Sequence, residues 1–473
     1  MAAHHRTRRR VLLIVFLLGI AGSGLAQAQH TTVLRGGRLF DATDTTLTKN
    51  PGLVVRAGTI VDRGATSLDT TGARILRLDD EHVILPGFID LHAHYAVDFF
   101  DEGRVEETEG YPLLYLANGA TTTFTAGEMQ PKKMQRLRRA IARGDRIGPR
   151  ILTSGPYFGK ARPGWDTTRT PASIRREVDR WAARGVEHFK AKRMRAELLQ
   201  ALIDQAHQHG ATVTGHLGSG YGQSVNPRTA INMGIDRVEH FLGGAQLPAS
   251  APAYDSLPTA TPDEPAFDQI TQHFQEHNVF FDATITAYGY YGTRESHIYA
   301  DWPNAQRYLT SYLRSVLTEK EYQDPVPRFQ NIFELKLDRI KAFYEAGAGD
   351  LITLGTDHPS WGEYLAPFGV HRELQAFVRA GLPEAAALRI ATINGARALG
   401  MSDQTGTVEV GKWADLVVVQ GNPLADIRNT RNVEWVMTRG RLHRAQALRD
   451  AARGTVGPES AAEADAFKPE RSP

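Results

Sequence analysis

A chain of 473 residues with 41% hydrophobic and 23% charged side chains has an ordinary globular composition, which excludes wholesale disorder and a collagen-like fibre. The absence of cysteine removes disulfides, thiolate metal ligands and cysteine nucleophiles, so chemistry falls to His, carboxylates, Lys or hydroxyls. Lys and Arg number 55 against 53 Asp and Glu, a balance without the global field that draws nucleic acid.

The start of the chain has its own logic. Arg6, Arg8, Arg9 and Arg10 precede the apolar run Val11 to Ile20, and small residues follow as far as Ala26-Gln27-Ala28. This is the order of a signal peptide, with a positive region, a short apolar core and an A-x-A cleavage site. The core falls short of the roughly 20 residues a spanning helix needs. Residues 1–28 are therefore read as a cleaved signal, with the mature protein exported, periplasmic or secreted, and without a stable membrane anchor after cleavage. Thr7 to Leu12 leaves the twin-arginine and general export routes both open.

Residues 29–85 show short β-rich runs split by turns, such as Thr31 to Leu34 before Gly36-Gly37, and Leu53-Val54-Val55 before Ala57-Gly58-Thr59-Ile60-Val61. The texture returns over 399–446, in Thr407 to Val410, Asp415 to Val419 and Trp435-Val436-Met437. Two such pieces flanking a long middle predict one small β-sandwich built from both chain ends. Within 86–398, apolar strands are expected at Ile84 to Leu91, Thr121 to Thr125, Arg150 to Thr153, Val186 to Ala191, Ala211 to His216, Arg237 to Phe241, Val279 to Ile285 and Leu351 to Gly355. Helical stretches lie between most of them, including Pro131 to Arg143, Pro171 to Arg184 and Ala196 to His209. The fold class is thus α/β, a (β/α)8 TIM barrel. Leu242 to Phe274 and Tyr288 to Asn331 read as loops and extra helices over the barrel mouth. Residues 447–473, rich in Ala, Glu, Arg, Gly and Pro, read as a disordered tail.

His92-Ala93-His94 closes the first barrel strand, where residues two apart share a face and two imidazoles can serve one cation. A second such pair, His207-Gln208-His209, sits before Gly210 at a helix end, where capping is the better reading. Lys190, His216, His240 and Asp357 fall at equivalent strand ends. Six such groups at one rim are costly to bury uncompensated, and a divalent cation site resolves the cost.

The run Leu85-Pro86-Gly87-Phe88-Ile89-Asp90-Leu91-His92-Ala93-His94 resembles the first-strand signature of the amidohydrolase superfamily. Gly411-Lys412-Trp413-Ala414-Asp415-Leu416-Val417-Val418, with Gly421-Asn422-Pro423-Leu424, is similar to that superfamily's return to its accessory sheet. Gly119-Ala120-Thr121-Thr122, Gly148-Pro149-Arg150 and Gly185 to Lys190 match in order and spacing, so the resemblance covers roughly Val33 to His443. It implies a metal-dependent barrel hydrolase, and Lys190 on the fourth strand points toward binuclear, prolidase-like and imidazolonepropionase-related members. The resemblance places His92, His94 and Asp357 on the more buried metal and His216 and His240 on the second, with Lys190, carboxylated on its amine, bridging both. Lys192 shares the face of Lys190, and the spacing from Gly185 favours Lys190. With N and O ligands alone, two Zn2+ or other first-row divalent ions per chain are expected. Asp357 is the expected proton shuttle, Asp90 a support behind the ligands, and Tyr157 and His358 substrate contacts.

The function expected is hydrolysis of an amide-type C–N bond in a small molecule, such as an N-acyl amino acid or a dipeptide. The alternatives are a catalytically silent metal-binding scaffold, or a mononuclear deaminase or lactonase of the same superfamily. Gly218 to Gly222 lacks G-x-G-x-x-G spacing, and no G-x-S-x-G or H-E-x-x-H occurs. No nucleic-acid partner is expected, and a homo-oligomer is left open.

Overall fold

The computed structural model describes residues 31–50, 52–64, 72–98, 104–162, 164–218, 225–243, 261–292, 305–318, 327–358 and 365–465. The signal segment 1–28 and most of the glycine run 218–222 lie outside the described residues. The fold is mixed α/β. Eight short strands organise the middle of the chain: β1 Phe88–Ala93, β2 Ala120–Thr125, β3 Arg150–Thr153, β4 His188–Lys192, β5 Thr212–His216, β6 Arg237–Glu239, β7 Phe280–Asp282 and β8 Ile352–Thr353. The first three pair in parallel in the order β3-β2-β1, and β4 to β8 pair in parallel in chain order. Backbone bonds also link segments that follow β3 and β8 to the other sheet. Phe158 N–H donates to Lys190 O at 2.9 Å and Lys192 N–H to Phe158 O at 2.8 Å, while Leu91 N–H donates to Leu354 O at 2.9 Å.

Local chemistry sets the helices between the strands. Pro131–Arg143 opens on proline, ends at Gly144 in the left-handed region, and buries Met134, Leu137 and Ile141 on one face. Pro171–Ala182 begins with a reciprocal cap, in which Thr170 Oγ1 accepts from Ser173 N–H and Ser173 Oγ from Thr170 N–H. Among the described residues, no helix is long and apolar enough to cross a membrane.

Both chain ends share one eight-stranded sheet, because Leu416–Gln420 pairs antiparallel with Arg74–Pro86. Alternation divides its two faces. Ile84, Leu416 and Val418 pack with Leu34, Leu53, Val55 and Ile60, whereas Val83, Leu85, Val417 and Val419 join the main core.

Three expectations are corrected. The run Ile84 to Leu91 is not one strand: Arg74–Pro86 belongs to the end sheet, and β1 begins at Phe88. The break falls at Gly87, where a Cβ would lie 2.0 Å from Thr121 Oγ1. Only a residue without a side chain lets the chain cross between sheets there. Gly87→Ala is accordingly expected to cost about 1–3 kcal/mol of stability through overpacking, read as a lower denaturant midpoint at unchanged slope. Thr407 to Val410 is not a strand; Val408 is instead a buried plug whose N–H donates to Asp41 O.

The tail is the third correction, since 447–465 is ordered. The helix Ala445–Ala451 packs Leu448 against Leu116, Ala117 and Val436, and Val456 is fully buried, its carbonyl accepting from Thr310 N–H. A few apolar residues spaced by about four suffice to dock a segment whose overall composition is that of a disordered one. Residues 466–473 lie outside the described residues.

Candidate active site

Six side chains picked out by strand position converge at the C-terminal ends of β1, β4, β5, β6 and β8. His94 Nε2 lies 3.1 Å and His92 Nε2 3.3 Å from Asp357 Oδ1, and His240 Nδ1 lies 3.8 Å from Asp357 Oδ2. The His92 and His240 ring centroids are 5.0 Å apart, and those of His216 and His240 4.4 Å. Lys190 Nζ is 3.4 Å from His92 Nε2, fully inside the cluster, whereas the Lys192 ammonium lies 5.7 Å from the Tyr157 ring.

Backbone strain concentrates here. His240, Thr284 and Asp357 follow β6, β7 and β8 with φ of 69°, 42° and 51°, a region that costs non-glycine residues energy. At β6 the consequence is direct. Arg237 and Glu239 share a face by strand parity, and the left-handed turn brings the next residue, His240, to the same cluster. Thr284 in turn holds His240, its Oγ1 lying 2.7 Å from Nδ1.

Glu239, Asp282 and Thr284 were not anticipated as site residues. Glu239 forms a buried ion pair with Lys190 and accepts a hydrogen bond from Thr214 Oγ1 at 2.9 Å. Asp282 Oδ2 accepts from His92 Nδ1 at 2.9 Å, which orients that ring. The available signal was a charged residue closing each of two apolar strands, Arg237-Val238-Glu239 and Phe280-Phe281-Asp282. Gly355 makes room for the second, since a Cβ there would sit 2.0 Å from Asp282 Oδ1. Asp90 lies behind the ligands: it accepts from His92 N–H at 3.0 Å, Thr356 N–H at 3.1 Å and Thr356 Oγ1 at 2.8 Å. Tyr157 and His358, expected as substrate contacts, are both buried; His358 Nε2 meets Thr286 Oγ1 at 3.1 Å. The His207 and His209 rings sit at a helix end, bound to Asp236 and Asp179.

The electrostatics are those of a cation site. Burial and the Lys190 ammonium oppose a proton on His92, yet Glu239, Asp357 and Asp282 push its pKa up to about 9. Burial, then charged neighbours that include Lys190 and His92, hold the pKa of His216 and His240 well below the usual imidazole range. Burial raises the Asp90 carboxyl to about 6 against its hydrogen bonds, while contacts with His92 and His94 overcome burial and hold Asp357 well below the carboxylate range. His216 Nδ1 and His240 Nε2 are buried without a hydrogen-bond partner among the described residues, a costly state that a metal would relieve. The ligand atoms of His92, His240 and Asp357, and those of His216, Glu239 and His240, each lie within 4.8 Å of one another. The residues present therefore fit a divalent ion bound through N and O.

Comparison with known proteins agrees with this picture. A family model described as "Amidohydrolase family" matches residues 83–443. The structure is similar to a Xaa-Pro dipeptidase with bound methionine, at a TM-score of 0.65 and 20% identity over 88% of this chain and 100% of that one. It is also similar to molinate hydrolase, at a TM-score of 0.67 and 20% identity over 92% and 98% of the two chains. A curated relative, the 5-methylthioadenosine/S-adenosylhomocysteine deaminase of Teredinibacter turnerae, is 36% identical over 90 residues, 17% of this chain and 20% of that protein. The match thus spans about a fifth of the curated relative's length.

Proposed function

The chain belongs to the amidohydrolase family, and from that premise we propose that it is a metal-dependent hydrolase of an amide-type C–N bond in a small molecule, an N-acyl amino acid or a dipeptide-like compound. The observation that carries the reading is the convergence of His216 and His240 with His92, His94, Lys190 and Asp357 at one rim, with His216 Nδ1 and His240 Nε2 buried and without a hydrogen-bond partner among the described residues. In this reading the two parallel sheets are one (β/α)8 barrel, supported by the backbone bonds from the segments that follow β3 and β8, and the end sheet is its composite β-sandwich. Similarity to a Xaa-Pro dipeptidase, whose name describes a peptide-bond substrate, is in keeping with C–N chemistry.

His92, His94 and Asp357 would hold the more buried of two divalent ions, zinc by ligand type, and His216 and His240 the second, with carboxylated Lys190 between them. Bound metal supplies Lewis acidity toward the scissile carbonyl and a water of lowered pKa. Asp357 takes the proton of the attacking water at its carboxylate and returns it to the leaving nitrogen. Asp282 and Thr284 keep the His92 and His240 rings aimed, and Asp90 ties the end of β1 to Thr356 beside the shuttle.

A second reading has one specific support. Lys190 is ion-paired with Glu239 in the structure, and a carboxylated Lys190 would set two anions side by side unless cations compensate them. If the amine stays free, the site is mononuclear and closer to the deaminase type. Metal content separates the two, as does the mass of one carboxyl group on Lys190.

The direct test is a panel of N-acyl amino acids, dipeptides with C-terminal proline, lactones and phosphotriesters given to the metal-loaded protein. Turnover of a C–N substrate is expected. Turnover of lactones or phosphotriesters alone, or none with two metals bound, would set the reading aside in favour of the lactonase or silent-scaffold alternatives.

We further propose export, from Arg6 to Arg10, Val11 to Ile20 and Ala26-Gln27-Ala28. Protein isolated from the source cell is expected to begin near Gln29 by intact-mass measurement. An intact Met1 on cytoplasmic protein removes the compartment.

A further inference from the structure

Away from the strand ends, the helix Pro265–His277 gathers a second set of metal-ligating side chains in its last turn. His273 and His277 are one helical turn apart, with ring centroids separated by 4.4 Å. Glu276 stands beside them, and one ligand atom from each of the three residues lies within 4.8 Å of the others.

We propose that His273, Glu276 and His277 form a peripheral site for an imidazole-seeking first-row divalent cation, Cu2+, Ni2+ or Zn2+, separate from the site at the strand ends. The hydrogen bonds occupy Nδ1 of His277 and leave Nε2 of His273 without a partner among the described residues. His277 Nδ1 lies 3.0 Å from the His273 carbonyl oxygen. A carbonyl only accepts, so Nδ1 carries the proton and the Nε2 lone pair is left for a ligand. His273 is hydrogen-bonded to the Arg228 backbone, and its Nε2, a buried atom, has no hydrogen-bond partner among the described residues. Glu276 is anchored on one oxygen, Oε1 accepting from Gln272 Nε2 at 2.6 Å, and the carboxylate supplies negative charge. The site lies at the C-terminal end of the helix, where the last carbonyls and the helix dipole favour a cation. Asn278, in the left-handed conformation, ends the helix directly after His277.

The contrast with the other exposed histidine pair is instructive. His207 and His209 are each taken up by a carboxylate, Asp236 at 3.0 Å and Asp179 at 2.7 Å, on different elements. No shared coordination point results. On the Pro265–His277 helix one ligand atom from each ring and from the carboxylate lies within 4.8 Å of the others, and N/O ligation of this kind binds Cu2+ most tightly among the candidates.

The test uses the full protein with zinc at its strand-end site, titrated with Cu2+ beside His277→Ala and His273→Ala. Copper binding is followed by calorimetry and by the nitrogen hyperfine pattern in electron paramagnetic resonance, with zinc release measured in parallel. The wild type is expected to take up one Cu2+ coupled to two imidazole nitrogens with its zinc retained, and each variant to bind at this site at least about tenfold more weakly. His277 is exposed, so its replacement leaves the core packing alone. Equal copper uptake and an unchanged nitrogen pattern in His277→Ala, or uptake matched by zinc release, would overturn the proposal.

Discussion

Asp357→Asn is expected to keep the fold and at least one metal while kcat falls by at least about a hundredfold. The carboxylate sits 3.1 Å from His94 Nε2 and 3.3 Å from His92 Nε2, and those contacts hold its pKa well below the usual range. Its ionised oxygens can accept a proton as water attacks. An amide of the same shape preserves most of the packing but cannot accept that proton. General acid–base help is typically worth about 10²–10⁴-fold, so the loss corresponds to roughly 3–5 kcal/mol of barrier. Because the interaction is strongest in the transition state, kcat and kcat/KM should fall together. Metal analysis beside kinetics distinguishes this from the double change His92→Ala, His94→Ala, which should lose metal first and activity as a consequence. Near-parental turnover by Asp357→Asn with its metals in place would show that the proton travels by another route.

Lys190→Ala should be the more damaging change, with metal and activity lost together. Lys190 is almost completely buried, is ion-paired with Glu239 and lies 3.4 Å from His92 Nε2. Removing one partner of a buried pair strands the other, a penalty of about 3–5 kcal/mol, so the variant's thermal transition must be measured with its metal content. Short carboxylates offered to the folded variant are expected to restore part of both metal and turnover if a carboxylated Lys190 is the bridge. Lys192→Ala is the control, and it should keep its metals and most of its rate. The opposite outcome, with Lys190→Ala carrying two metals at full turnover and Lys192→Ala not, would place the bridging role at Lys192.

Much of the arrangement is legible in the sequence. Strand alternation places His92 on β1, Lys190 on β4 and His216 at the end of β5, and His94, the residue after β1, meets His92 at Asp357 Oδ1. The helix Pro131–Arg143 was legible to its ends, since proline opens it and Gly144 closes it. These features depend on neighbours in sequence, where periodicity and turn chemistry speak directly. His240 and Asp357 do not follow from strand alternation. Each lies at the end of its strand, but in the left-handed region, where parity no longer determines direction.

The chain by itself determined the alternation of strands and helices, the apolar faces of both, and which polar side chains stand at the rims of apolar strands. Those follow from local sterics and from the cost of burying charge alone. Only the tertiary structure decided that Glu239 pairs with Lys190, that Asp282 orients His92 across 190 positions of sequence, and that Thr284 holds His240. It also decided that the chain leaves the end sheet at Gly87, and that residues 447–465 dock against the body through Leu448 and Val456. The physical reason is common to all of them. A hydrogen bond, an ion pair or a close approach between distant strands depends on register and curvature, and no residue type encodes these until its partner has been put in place.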